Sequence, residues 1–162
     1  MKQVSGIQMQ LPEGKLPGFY AQIIKGIAEH AAIVDRSGEL MFAREEHTEA
    51  INKVLRHYKV DSTTSSWLQL TDSEWSLGRL WDDYGITARA GGWFADLQLA
   101  AAGNLLAIDN ASETEQAWLQ IEEHHIAMLQ KDSRRSFVVD RQLSELIDGI
   151  ARAYRCHVEW LF

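Results

Sequence analysis

Cysteine appears once in this chain, at Cys156, and proline twice, at Pro12 and Pro17. A lone thiol permits no internal disulfide, so the fold must rest on packing, and the usage fits a reducing compartment. No apolar run approaches the roughly 20 residues that cross a bilayer. Met1 to Gly14 contains no apolar segment of the signal-peptide kind. These absences predict a cytoplasmic protein with no membrane partner. Runs of Lys or Arg are missing as well; the densest basic spot is Lys131 with Arg134 and Arg135. With a net charge of −7, the chain repels a nucleic-acid backbone, which argues against direct nucleic-acid binding.

Catalytic signatures are also lacking. There is no Gly-x-Ser-x-Gly, no phosphate loop and no dinucleotide fingerprint. Cys156 beside His157 is adjacency in sequence, which does not by itself pair a thiolate with an imidazole; the apolar neighbours Tyr154, Val158 and Trp160 predict a buried, inert thiol. Glu122 and His125 share the i, i+3 spacing of di-iron bundles, but no second Glu-x-x-His exists to complete a ligand set. No metal and no cofactor are expected.

What is present is an ordinary globular composition, 46% apolar and 24% charged over 162 residues, suited to one domain spanning 1–162. Four of the six tryptophans, Trp67, Trp75, Trp81 and Trp93, fall in one stretch, interleaved with Asp72, Glu74, Asp82 and Asp83. Thr71 with Glu74 forms a capping box, and Leu77, Leu80, Trp81 and Tyr84 follow at helical spacing, so a helix is predicted over 72–84, closed by Gly85. In the rest of the chain, an opening strand covers Val4 to Leu11 and a helix runs from Pro17 to about Glu29. A hairpin joins 31–34 to 40–43 through Asp35-Arg36-Ser37-Gly38. A helix spans 45–58, and 61–66 reads as a linker loop. A second hairpin covers 93–102 and 105–108, turning at Gly103-Asn104. Ser112 with Glu115 opens a helix to about Lys131, 137–139 is a short strand, 141–155 is an amphipathic helix, and 158–161 closes the chain as a strand. No internal repeat stands out. The element order predicts an α+β fold: a single domain with an antiparallel sheet built from hairpins and amphipathic helices packed on it.

Aromatic residues among carboxylates suggest a function. Acids imitate phosphates to a basic cleft, and tryptophan supplies a desolvated anchor. The chain therefore reads as an interaction protein, of the immunity, antitoxin or anti-restriction inhibitor kind, that binds a basic protein partner. On a helix over 72–84, Trp75 and Asp82 are seven residues apart and share a face, with Asp83 at its rim; the expected surface is Trp75, Asp72, Glu74, Asp82 and Asp83. As an alternative, the hairpin from Ala31 to Phe42 resembles the opening hairpin of PAS domains, and that resemblance implies a small-molecule sensor. An enzyme without a recognisable motif is a second alternative.

Overall fold

Pro17 occupies the first turn of a helix, and Gly38 turns a hairpin at φ 56°. These local features build the first half of the chain. In the computed structural model, which describes residues 1–162, β1 (Lys2–Gln10) leads through α1 (Pro17–Ala28) to the hairpin of β2 (Ile33–Ser37) and β3 (Leu40–Ala43). A 3-10 turn at Glu45–His47 opens α2 (Thr48–His57), and β4 (Asp61–Leu70) follows. Four neighbouring strands of its sheet run in the order β2-β3-β1-β4, with both β1 pairings antiparallel. This is the split β-α-β arrangement of ferredoxin-like sheets. Ile7, Met9, Met41 and Ala43 on one sheet face pack with Ile23, Ile27, Ile51 and Leu55 of the two helices. Each of the isoleucines, methionines and Leu55 contributes roughly 1.5–3 kcal/mol on burial. Phe42 stacks on Phe94 at 3.7 Å and meets the edge of Trp67 at 5.3 Å.

The chain continues through β5 (Ser76–Leu77), α3 (Trp81–Tyr84), β6 (Gly85–Thr87) and β7 (Trp93–Asp96). Then come β8 (Ala100–Ala107), α4 (Thr114–Glu122), β9 (His125–Lys131), β10 (Arg134–Asp140), a 3-10 turn at Arg141–Leu143, α5 (Ser144–Ala153) and β11 (Cys156–Trp160). The fold is α+β. Two compact units divide it, Met1–Thr71 with Thr87–Phe94 and Asp72–Ile86 with Ala95–Phe162. In the second unit the sheet order is β11-β8-β10-β9-β5. Its helices bring Ala117, Trp118, Ile121, Ile147 and Ala151 onto Leu105, Phe137, Val139 and Cys156. No helix is long and apolar enough to cross a membrane.

Element by element, the second unit repeats the first. Ser5 pairs with Ala43 as Ala101 pairs with Val139, and Gln10 pairs with Asp61 as Leu106 pairs with His157. Every residue in the later pair stands 96 positions after its counterpart. The bulge repeats too: Val34 is the extra residue between Ile33 and Asp35, and Ile126 is the extra residue between His125 and Ala127. One register, bulge included, is therefore built twice from nearly unrelated side chains.

Several sequence expectations are corrected. Residues 61–66 are strand, because Asp61 to Ser66 pair residue for residue with β1; their serines and threonines suit a pleated surface. The helix over 72–84 is absent. The Asp72 carboxylate accepts the Glu74 N–H at 3.0 Å in a turn, Ser76 and Leu77 pair with β9, and only 81–84 is helical. Gly78 presses so closely on β9 that a Cβ there would lie 2.6 Å from the His125 carbonyl oxygen. No hairpin turns at Gly103-Asn104; β8 runs straight through it, with Gly103 close against Val158 and Glu159 of β11. The helix expected to reach Lys131 stops at Glu122, and β9 takes the remainder, since Ile126 to Leu129 are buried as a continuous run rather than a stripe.

Candidate functional site

The tryptophan stretch divides between core and surface. Trp67, Trp75 and Trp81 are buried, Trp75 at 4% exposure. With the helix gone, Trp75 and Asp82 share no helix face, and Trp75 is not an exposed anchor. Its indole N–H and that of Trp81 are buried without a partner. Asp72 and Glu74 are spent on one cation, with the Lys131 ammonium 3.5 Å from the Asp72 carboxylate and 2.7 Å from that of Glu74. The Glu74 N–H, followed by Lys131, holds the Asp72 carboxyl below its ordinary range. The hydrogen bond to Glu74 raises the Lys131 ammonium.

Asp82 and Asp83 are different. Both are exposed on α3 and make no ion pair. Asp83 borders a cleft of about 640 Å³, lined by Leu80, Asp83, Tyr84, Gln98, Leu99, Asp140, Arg141 and Gln142. Leu80 is 40% exposed and Leu99 48%, a large apolar exposure for two residues of one cleft. Hydrogen bonds fix the walls. The Tyr84 hydroxyl donates to Asp140 Oδ2 at 2.5 Å, while Asp140 Oδ1 accepts the Gln142 N–H at 2.8 Å. The bond to Asp140 pushes the Tyr84 phenol above its usual value. Arg141 donates Nη2 to the Leu97 carbonyl at 2.8 Å and to that of Ala100 at 3.0 Å, and Nε to Leu97 at 3.1 Å. Its guanidinium thus braces the loop that carries Leu99. Asp83 borders the exposed leucines with Asp82 beside it in sequence, and the exposed Arg79 adjoins Leu80 on its other side.

The first unit has a counterpart. A cleft of about 670 Å³ includes Lys2, Gln3, Arg44, Glu45 and Glu46 in its lining, and adding 96 gives Gln98, Leu99, Asp140, Arg141 and Gln142. The wall between the first strand and the 3-10 turn is thus shared by the two units, while Leu80, Asp83 and Tyr84 close the second cleft alone. The two linings differ in chemistry. Mixed charge lines the first; exposed leucine with unpaired aspartate lines the second.

Other expected features settle into local roles. Cys156 is buried, and burial pushes its thiol above the ordinary range. Glu122 ends α4 while His125 starts β9, so they do not share a helix; His125 Nδ1 lies 2.5 Å from the Glu122 carbonyl. No group of three or more His, Cys, Asp or Glu side chains is arranged to hold a metal ion. Among the 16 basic and 23 acidic residues, the first unit holds 9 and 8 and the second 7 and 15, for net charges of +1 and −8. Neither a protein-family model nor a curated protein matches the chain.

Proposed function

We propose that this chain is an interaction protein whose acidic second unit receives a basic segment of another protein, in the manner of an inhibitor. One observation supports the reading above the rest: charge is segregated, with −8 on the second unit and +1 on the first. A field of one sign on one unit steers an oppositely charged partner and speeds its encounter. The cleft beside α3 supplies what charge alone cannot, two exposed leucines bordered by unpaired Asp83, an apolar centre with a charged rim. The partner's matching segment is an aliphatic side chain flanked by Lys or Arg. This surface keeps Asp82 and Asp83 and replaces Trp75, Asp72 and Glu74 with Leu80 and Leu99. Affinity capture with the wild-type chain, with Leu80→Ser/Leu99→Ser and with Asp82→Asn/Asp83→Asn tests it. A basic protein held by the first and lost or weakened with both variants supports the reading. Equal retention by all three overturns it.

A further inference from the structure

The first unit contains a cavity of about 450 Å³ lined by Ile24, Ile33, Asp35, Arg36, Arg89 and Ala90. Its one carboxylate is fully engaged: Asp35 Oδ1 accepts the N–H groups of Arg36 at 2.8 Å and Ala90 at 3.0 Å, and Oδ2 accepts that of Gly92 at 3.1 Å. Those bonds freeze the loop over 88–92, where Gly91 takes φ 90° and the Arg89 N–H donates to the Arg36 carbonyl at 2.8 Å. The two arginines therefore face the cavity from chain segments tied to one another. Arg36 is positioned by Tyr20, with Nη1 3.1 Å from the hydroxyl and the guanidinium 5.6 Å from the ring centre. Neither guanidinium has a carboxylate partner, because the only nearby acid is spent on backbone amides.

Two uncompensated guanidiniums over a floor of Ile24 and Ile33 call for a particular ligand. Arginine presents paired donors that match the oxygens of a carboxylate or phosphate, and the volume suits a small molecule. We propose that this cavity binds a small organic anion, its phosphate or carboxylate on Arg36 and Arg89 and its apolar body against Ile24 and Ile33. The site is built for capture, since no nucleophile or free base borders it. It belongs to the near-neutral unit, where no large negative field opposes an anion, and it is independent of the acidic cleft. Asp35 acts as a positioning residue, holding both arginine-bearing segments without touching the ligand.

Titration of the full chain with phenyl phosphate, benzoate and inorganic phosphate, followed by amide NMR, tests the assignment. Phenyl phosphate or benzoate should shift the amides of Arg36 and residues 89–92 at low-millimolar concentration, and inorganic phosphate should bind more weakly because it leaves the isoleucine floor uncovered. Whichever of the two aromatic anions binds more tightly identifies the headgroup. Arg89→Gln, which breaks no side-chain hydrogen bond or ion pair within the protein, should weaken binding roughly tenfold, the scale of one charge-assisted contact. Arg89→Lys should restore part of it. No shift at these amides with any of the three anions overturns the proposal, as does binding unchanged in Arg89→Gln.

Discussion

Lys59 and Arg155, 96 positions apart, hold the same left-handed backbone conformation, each at φ 56°. Each follows the second helix of its unit and turns the chain into the last strand. At Lys59 the geometry is a Schellman cap: the Val60 N–H reaches the Leu55 carbonyl at 3.0 Å and the Lys59 N–H that of Arg56 at 3.0 Å, with Val60 and Leu55 in one core. Glycine adopts this conformation without the strain a Cβ brings. Lys59→Gly should therefore stabilise the protein by about 0.5–1 kcal/mol, net of the freedom glycine adds to the unfolded chain. Chemical denaturation should show a higher midpoint with an unchanged slope.

Asp35 makes the opposite prediction. The residue is 8% exposed, and its carboxylate accepts three backbone N–H groups. Asp35→Ala leaves the Ala90 and Gly92 donors without that acceptor, at a cost of roughly 2–3 kcal/mol for bonds to a charged group. Hydrogen exchange should show the 88–92 amides losing protection before the helices do. Unchanged protection there would show that the loop is held by something else.

Much of the first unit was legible in the sequence because its elements are locally consistent. Pro17 starts its helix, Gly38 sits in its turn, and the stripe over 45–58 is buried as α2. The second unit was less so, and the reasons lie in particular residues. Gly103-Asn104 looks like a turn, but Gly103 is there to let β11 approach. Thr71 with Glu74 looks like a helix start, but Asp72 takes the Glu74 amide and β9 claims Ser76 and Leu77. Tertiary pairing overrode local propensity at both places. The repeat was hidden for another reason. At a spacing of 96 residues, α2 and α5 share Glu49 with Glu145, Ile51 with Ile147, Arg56 with Arg152, and Tyr58 follows as Tyr154, while the strands keep only hydrophobic pattern. A backbone register survives such divergence because it depends on alternation, not on identity. Asp82 and Asp83 were found through their charge. Leu80 and Leu99 were not, since exposure of a leucine has no local signature.

Trp75 is a core residue with an unsatisfied indole N–H. Trp75→Phe removes that orphan donor and most of the ring stays, so its net effect on stability should be small. Trp75→Ala opens a cavity and should cost roughly 3–5 kcal/mol. Thermal melts of the two variants separate these outcomes. A large loss from phenylalanine would mean the indole N–H has a partner after all.

Acid should weaken the second unit through identified carboxylates. The hydrogen bond from Arg155 holds the Asp109 carboxyl low, as the Glu74 amide does for Asp72. A carboxyl lowered by folding contributes stability that is present above its unfolded value, about 3.9, and is lost as pH falls through the lower folded one. Asp109 is exposed and Asp72 partly so, and solvent screening keeps the effect small. The stability difference between wild type and Asp109→Asn should be present at neutral pH and shrink as pH drops below about 4. A difference independent of pH would assign the Asp109–Arg155 contact to hydrogen bonding alone.

The acidic cleft gives the last prediction, and its two kinds of side chain should fail differently. Asp82 and Asp83 are exposed and unpaired, so they act on an approaching partner from a distance more than in the finished contact. Rim charges change association rate and its salt dependence. Asp82→Asn/Asp83→Asn should slow association by several-fold at low salt and much less at about 0.5 M, where the Debye length falls to a few ångströms. In the proposed contact Leu80 and Leu99 form the desolvated centre, so Leu80→Ser/Leu99→Ser should raise the dissociation rate, with a loss of about 2 kcal/mol or more of binding. Leu119 at 52% exposure and Leu146 at 45% offer a comparison on α4 and α5 of the same unit. Their replacement by serine removes a similar apolar area, and it should leave both rates unchanged. Surface-plasmon kinetics with the captured partner measures all three variants. Should the Leu119/Leu146 variant alone fail to bind, the helices of the second unit are the interface and the cleft beside α3 is only a feature of the repeated backbone.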